Sequence, residues 1–408
     1  MARTQNIQWS WMSLAMSLGA CLGAGTAQAQ SSYSMTTLGL GTAYQNQPSS
    51  PTTAWIDSQE RVWSNLSYYE GRKLVAVWGT GGSLFPFKWV WRDTFTTYPV
   101  RHAGTGTTLA ASKLSTKSGM LHVVSPNGQR AYLTPVGALT PVSPSPAVTV
   151  EAGGMVLAMQ DSGAYTGRIA KTDASAPALW VPGQARQDLP VPTGYRGGVG
   201  LALNTRNEVA GAVFTQTYLV PQAAVWQQGQ LTVLDATANQ GSFATGISEL
   251  GHVLVVNYPY TVQPNDTATP TYQASRGPST YTVFYNGQRL GLSCPAALPR
   301  ALATAISPSG LVVGHCTANP GDTFVSTELL PVTTQPNPPT EAYYQSKAWI
   351  WKNGVGTELA SYLTARGVKL PTGLVLRYVL AVNAKGSMVV ETLNASGQAG
   401  LVRFTALN

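Results

Sequence analysis

The sequence predicts an all-β fold built as a ring of repeated four-stranded antiparallel meanders, and three observations carry that expectation. Only 10% of residues are charged, while Gly 41 and Pro 27 together supply about one residue in six, a turn-rich composition. Short runs of alternating apolar and polar residues, bounded by Gly, Pro, Asn, Asp or Ser, have the two-residue period of half-buried strands. One turn pattern recurs along most of the chain. Hydrophobic residues, at 44%, suffice for a core and exclude wholesale disorder. Past the N terminus, no apolar run reaches the ~20 residues that a membrane-spanning helix requires.

In chain order, the first element is a leader. Arg3 is the only charged side chain before Asp57, and it precedes an apolar stretch from Ile7 to Leu22. Ala27-Gln28-Ala29 has the small-x-small form that a signal peptidase cuts, so residues 1–29 are expected to be an export signal. Leu18-Gly19-Ala20-Cys21 resembles a lipobox and offers the alternative, a lipid anchor on Cys21. The expected location is secreted or periplasmic. Removing the leader leaves Cys294 and Cys316, an even pair in an oxidising compartment, which is expected to form a disulfide.

The mature chain, 30–408, reads as a single domain. Its clearest unit runs Ala303-Thr304-Ala305-Ile306-Ser307-Pro308-Ser309-Gly310-Leu311-Val312-Val313-Gly314, then Ala348-Trp349-Ile350-Trp351-Lys352-Asn353-Gly354, then Thr357-Glu358-Leu359. This is strand, tight turn, strand, linker, strand ending in an aromatic, turn, and strand. Ser307 starts the first turn, Pro308 presets its φ, and Gly310 takes the left-handed position. Equivalent turns pair Asp57 with Glu60, Ser115 or Thr116 with Gly119, Glu151 with Gly154, Asn204 with Asn207, Ser248 with Gly251, and Asn383 with Gly386. Third strands close with Trp91, Leu133, Trp180, Trp226, Phe284, Trp351 and Phe404, a register expected to pack these side chains between units. The expected units lie near 54–100, 108–142, 147–190, 198–236, 242–292, 300–364 and 377–408.

These residues resemble the HAF-type extracellular repeat family, with the pattern A-x-x-I-N-x-x-G-x-V-V-G, a spacer, and A-F-x-W-x-x-G-x-x-x-x-L. The likeness is strongest at 303–314 and 348–359, fair around Asn204 and Asn383, and degenerate in the first three units. It implies a secreted bacterial repeat protein and leaves the activity open. Four-stranded meanders repeated about an axis make a β-propeller, with a β-solenoid of shorter coils as the runner-up. The last unit stops at its third strand, and residues 33–39 read as a fourth strand placed ahead of the first unit. Pairing the two would close a seven-bladed ring.

Chemistry-bearing motifs are sparse. G-x-S-x-G, H-E-x-x-H, C-x-x-C and G-x-x-x-x-G-K-[ST] are all absent, and no cofactor or metal is implied. Gly197-Gly198-Val199-Gly200 is expected to be a connection between units. His122, His252 and His315 fall in different units, and these three and His102 are expected to serve structural roles. Many carboxylates, among them Asp57, Glu60, Glu151 and Glu249, occupy turn positions that bond local backbone. Residues 57–130 hold nine Lys/Arg against four Asp/Glu, without the interleaved basic and aromatic runs of nucleic-acid readers.

Long insertions are expected between second and third strands, at 66–87, 159–176, 257–280 and 317–347. They would lie on one rim and carry Tyr68, Tyr69, Trp78, Phe85, Tyr258, Tyr260, Tyr272, Arg276, Tyr343 and Tyr344. Aromatic rings on loops suit sugar faces or protein surfaces. The expected function is therefore a monomeric binding module for a glycan or cell-surface protein. The alternative is a carbohydrate-active enzyme, a glycoside hydrolase or polysaccharide lyase, using carboxylates in a central funnel.

Overall fold

The computed structural model describes residues 32–38, 54–56, 59–78, 87–102, 108–109, 122–124, 130–133, 139–141, 154–171, 175–216, 220–234, 240–259, 261–262, 272–273, 279–318, 324–327, 330–333 and 346–407. The chain is all-β, organised as antiparallel sheets that follow one another in sequence. β1 is Tyr33–Leu38. Sheet one contains β2 (Ala54–Ile56), β3 (Val62–Trp78), β4 (Phe87–His102) and β5 (Thr108–Leu109), and sheet two β6 (His122–Val124), β7 (Arg130–Leu133) and β8 (Leu139–Pro141). Sheet three contains β9 (Gly154–Met159), β10 (Tyr165–Ala170), β11 (Ser175–Trp180) and β12 (Gln187–Asp188). Sheet four follows with β13 (Tyr195–Leu203), β14 (Val209–Thr215), β15 (Pro221–Gln227) and β16 (Gln230–Val233).

Sheet five begins with β17 (Gln240–Ile247) and β18 (Val253–Pro259). A side hairpin of β19 (Thr261–Val262) and β20 (Tyr272–Gln273) precedes its outer strands β21 (Thr280–Tyr285) and β22 (Gln288–Gly291). Sheet six repeats the plan: β23 (Arg300–Ile306), β24 (Val312–Thr317), a side hairpin of β25 (Phe324–Thr327) and β26 (Leu330–Thr333), then β27 (Lys347–Lys352) and β28 (Val355–Glu358). A short helix, α1 (Leu359–Thr364), leads to sheet seven, β29 (Val375–Val382), β30 (Met388–Leu393) and β31 (Ala399–Ala406), with β1 paired outside β31. That last pairing runs from Tyr33 opposite Ala406 to Leu38 opposite Leu401.

Local sequence explains the first turns. In Asn204–Asn207, Ser248–Gly251, Ser307–Gly310 and Asn383–Gly386 the fourth amide donates to the first carbonyl at 3.0, 3.2, 2.9 and 3.1 Å. The fourth residue is left-handed each time, with φ of 60, 85, 81 and 85°. The starting side chain then accepts the amide four residues on: Glu208 N to Asn204 Oδ1 at 3.1 Å, His252 N to Ser248 Oγ at 2.9 Å, Leu311 N to Ser307 Oγ at 3.0 Å, and Ser387 N to Asn383 Oδ1 at 2.9 Å. A short side-chain acceptor is therefore required at the start, which is why Asn and Ser recur there. Gln228-Gly229, Asn286-Gly287 and Asn353-Gly354 are left-handed at both positions, the two-residue hairpin that suits strand twist.

Several expectations are corrected. In sheet three the first turn is Gln160–Gly163, closed by Gly163 N donating to Gln160 O at 2.9 Å, and Gly154 instead opens β9. Glu151–Gly154 and Gln160–Gly163 both end in glycine, so spacing alone could not separate them. Within the supposed insertion at 159–176, residues 160–170 are accordingly this turn plus β10, and 172–174 lie outside the described residues. That at 66–87 is largely paired strand, since β3 and β4 match from Val62–His102 to Trp78–Phe87. Thr108 and Leu109 pair with β4 and belong to sheet one. Gly197, Gly198 and Gly200 lie inside β13, where a Cβ on Gly198 would sit 2.8 Å from Ala212 O and one on Gly200 would collide with Thr166. These glycines allow close strand and sheet approach.

The core lies between successive sheets. Trp226 and Trp351 are buried, and each indole N–H donates at 2.8 Å to a carbonyl of the preceding unit, Pro190 and Ser293 respectively. Trp180 and Phe404 are buried in the same register. Ends of the chain also meet: Leu38, Ala54, Ile56 and Val62 pack with Ala381, Val389 and Leu401, placing sheet one against sheet seven. Cys294 and Cys316 form the expected disulfide, with a Cα–Cα distance of 5.8 Å, tying the segment after β22 to β24.

Candidate functional site

The two ends of the strands differ in chemistry. At the first-turn end, neighbouring turns are joined by hydrogen bonds. Asn204 Nδ2 donates to Ser248 O at 3.1 Å, Thr205 N to Glu249 Oε1 at 2.9 Å, and Glu249 N to Pro308 O at 3.0 Å. Asn383 Nδ2 donates to Glu60 Oε1 at 3.1 Å, and Arg403 Nη1 to the Glu60 carbonyl. Arg206 pairs with Glu208 at 2.6 Å. Burial alone would raise the Glu208 pKa, but donors from Arg206 and Asn204 outweigh it and hold the carboxyl below its ordinary value. Glu60 and Glu249 thus bond neighbouring units rather than the local backbone expected of them, while Asp57 and Glu151 lie outside the described residues.

Ser248 and His252 look like a nucleophile and base, with Oγ 3.2 Å from Nδ1. The repeat supplies a different explanation. Ser248 Oγ accepts the His252 backbone N–H, the bond made by the starting residue of each equivalent turn. The His252 ring lies flat on Tyr285 at 3.8 Å between centroids, and Gly310 approaches so closely that a Cβ there would be 2.6 Å from Nδ1. Burial lowers the imidazole pKa. This pair is a packed turn rather than a catalytic dyad.

At the opposite strand ends, sheets six and seven bury a charged cluster. His315 on β24 meets Tyr378 on β29 edge-on, with centroids 4.3 Å apart. Arg377 is fully buried, with its guanidinium carbon 4.6 Å from the Tyr378 centroid and Nη2 3.4 Å from Glu391 Oε1. Arg300 starts β23 opposite Thr317, two positions from the Leu302–His315 pair, so Arg300 and His315 project from the same face of the sheet. Burial, then Arg377 and Arg300, hold the His315 pKa down to about 3, so the ring is neutral. Burial pushes the Tyr378 phenol up to about 12 despite Arg377 nearby. Ser346 Oγ donates to Thr317 Oγ1 at 2.9 Å where the chain returns to sheet six. Among the described residues, no group of three His, Cys, Asp or Glu side chains could hold a metal ion.

Sequence reasoning missed this cluster. The available signal was an Arg inside an apolar strand, Leu376-Arg377-Tyr378, opposite a Glu in another, Val390-Glu391-Thr392. Its own candidates fare differently. Tyr258 is buried against Phe243, with stacked centroids 6.0 Å apart, and its ring fills the space beside Gly241. Tyr68, Tyr69 and Trp78 belong to β3, and Tyr272 to the side hairpin. Phe85, Tyr260, Arg276, Tyr343 and Tyr344 lie outside the described residues.

No family model matches the chain, and no curated protein matches it. Among solved structures, the chain is similar to Porphyromonas gingivalis dipeptidyl peptidase 4, at 10% identity and a TM-score of 0.35, over 72% of this chain and 45% of that one. It is also similar to Pyrococcus horikoshii acylaminoacyl peptidase, at 12% identity and a TM-score of 0.39, over 90% of this chain and 50% of that one. The chain thus spans about half the length of these solved chains. The expected function is corrected here: both matched proteins are peptidases, not glycan modules or carbohydrate-active enzymes. The ring of Tyr258, one of the aromatics on which that expectation rested, packs in the core. At these values the likeness carries no activity to this chain.

Proposed function

We propose that the chain is an exported structural platform: a seven-bladed propeller of HAF-type repeats, closed by its first strand, with no catalytic role in the ring itself. The carrying observation is that β1 completes the sheet of β29–β31 while sheet one packs against that same sheet. Further contacts support a latch. Tyr33 OH donates to Gly386 O at 3.4 Å, its ring meets Tyr362 of α1 at 6.2 Å, and Leu407 N donates to Ser32 O at 2.8 Å. The disulfide suits an oxidising compartment reached through an export signal at 1–29.

Deleting residues 30–40 tests the closure. The deletion removes a six-residue strand and the buried Tyr33 and Leu38, each side chain contributing roughly 1.5–3 kcal/mol. The truncated protein is expected to lose its cooperative melting transition or to associate through the exposed β31 edge. A peptide of residues 30–40 added in trans should restore the transition. An unchanged melting curve counts against closure, and hydrolysis of dipeptidyl or N-acyl-aminoacyl substrates by the purified protein counts against a purely structural role.

A further inference from the structure

The cluster between sheets six and seven is not part of the repeated architecture. Sheet six offers His315 and Arg300, and sheet seven offers Arg377, Tyr378 and Glu391, all in the halves of their strands away from the first turns. None of the equivalent turns uses these residues, and a ring held by backbone pairing and apolar burial does not require them. Charged groups this deep are costly to desolvate, and hydrophobic residues of similar volume would often serve stability as well or better. Their presence calls for a reason beyond folding.

His315 supplies the pointer. The residue is 7% exposed, and its Nδ1 is buried with no hydrogen-bond partner. Buried polar atoms are nearly always satisfied, so an orphaned nitrogen marks a place where a further group belongs. The surroundings define that group. Arg300 projects from the same face of sheet six as His315, Arg377 of sheet seven flanks the Tyr378 ring that meets the imidazole, and a neutral ring can present a donor at Nδ1. An anion with at least two oxygens fits: one accepts from the imidazole, the other from a guanidinium. A guanidinium fork matches a planar carboxylate through two parallel bonds. A dianion would have to surrender far more hydration in a place this buried.

We propose that the His315, Arg300 and Arg377 cluster binds a carboxylate group. The ligand belongs to a small organic acid or to the C terminus of a peptide. Glu391 holds Arg377 in place through the 3.4 Å ion pair and sets the direction of its fork. This inference does not depend on ring closure.

Calorimetric titrations at constant ionic strength test it, using acetate, sulfate, and trialanine with a free or an amidated C terminus. Acetate and free trialanine are expected to bind, and sulfate and the amide to fail. An advantage of at least about tenfold for trialanine over acetate would identify the peptide terminus as the source, and equal affinity would identify the small acid. His315→Phe keeps a buried ring and is expected to weaken carboxylate binding by about tenfold or more without lowering the melting temperature of the free protein. Arg300→Gln, at a partly exposed position, provides a second variant that should also weaken binding should His315→Phe fail to fold. Equal binding by the wild type and a folded variant, or no carboxylate binding by the wild type, overturns the proposal.

Discussion

The first-turn end and the His315 end of the strands solve the polar-group problem in opposite ways. At the turns, every starting side chain is short and uncharged, and it bonds an amide four residues on, so one inexpensive device repeats from sheet four to sheet seven. At the other end, a buried Arg–Glu pair of sheet seven lies beside the ring contact between His315 of sheet six and Tyr378 of sheet seven. Repetition marks what the scaffold needs. A departure from repetition that is also costly to bury marks where something specific was retained.

That contrast can be broken experimentally, beginning with the largest effect. Deletion of β1 apart, Arg377→Met should be the most damaging single change, because it leaves the Glu391 carboxylate, 1% exposed, facing an apolar group. A loss of about 3–5 kcal/mol is expected by urea denaturation. The double change Arg377→Met with Glu391→Leu should recover most of it. If the single variant is as stable as the wild type, the ion pair is not a buried one in solution.

A pH profile sharpens the same point. The folded His315 pKa of about 3 lies below the ordinary value of about 6.5, so the unfolded chain takes up this proton first. Stability is therefore expected to fall as pH drops from about 6.5 toward 3, by up to about 1.4 kcal/mol per pH unit from this group. His315→Phe should flatten that slope. A shallower slope in the same direction should persist, since burial also lowers the pKa of His252.

Turn variants should do less. Asn383→Ala removes acceptors for Lys385 N and Ser387 N together with the link to Glu60, and about 1–2 kcal/mol is expected from thermal melts. Glu249→Gln, whose bonds to Thr205 are exposed, should change stability by no more than about 0.5 kcal/mol. A large loss at Glu249 would show that the links between turns govern stability more than the buried cluster does.

Much of the fold was legible because turn chemistry is local. Ser307-Pro308-Ser309-Gly310 can be read from four residues, and the structure closes it with the expected 2.9 Å bond. Glu60 shows the limit. It has a side chain where glycine is favoured, yet adopts φ of 63°, held by contacts from Asn383 and Arg403 more than three hundred residues away. The disulfide was legible from parity and compartment. The burial of Tyr258 was not, because alternation along β18 cannot reveal that Gly241, on the paired strand, leaves room for the ring to turn inward.

By itself the sequence determined the all-β class, the recurring tight turns, the register that buries Trp180, Trp226 and Trp351, and the partner of Cys294. Each follows from residue type at short spacing, where backbone sterics, strand alternation or the count of cysteines leaves few choices. Only the tertiary structure decided that β3 and β4 continue through a supposed loop and that Tyr378, beside Arg377, meets His315. Those outcomes depend on which strands become neighbours, and burial turns an ordinary Arg, His and Glu into a charged cluster only after two sheets have closed around them.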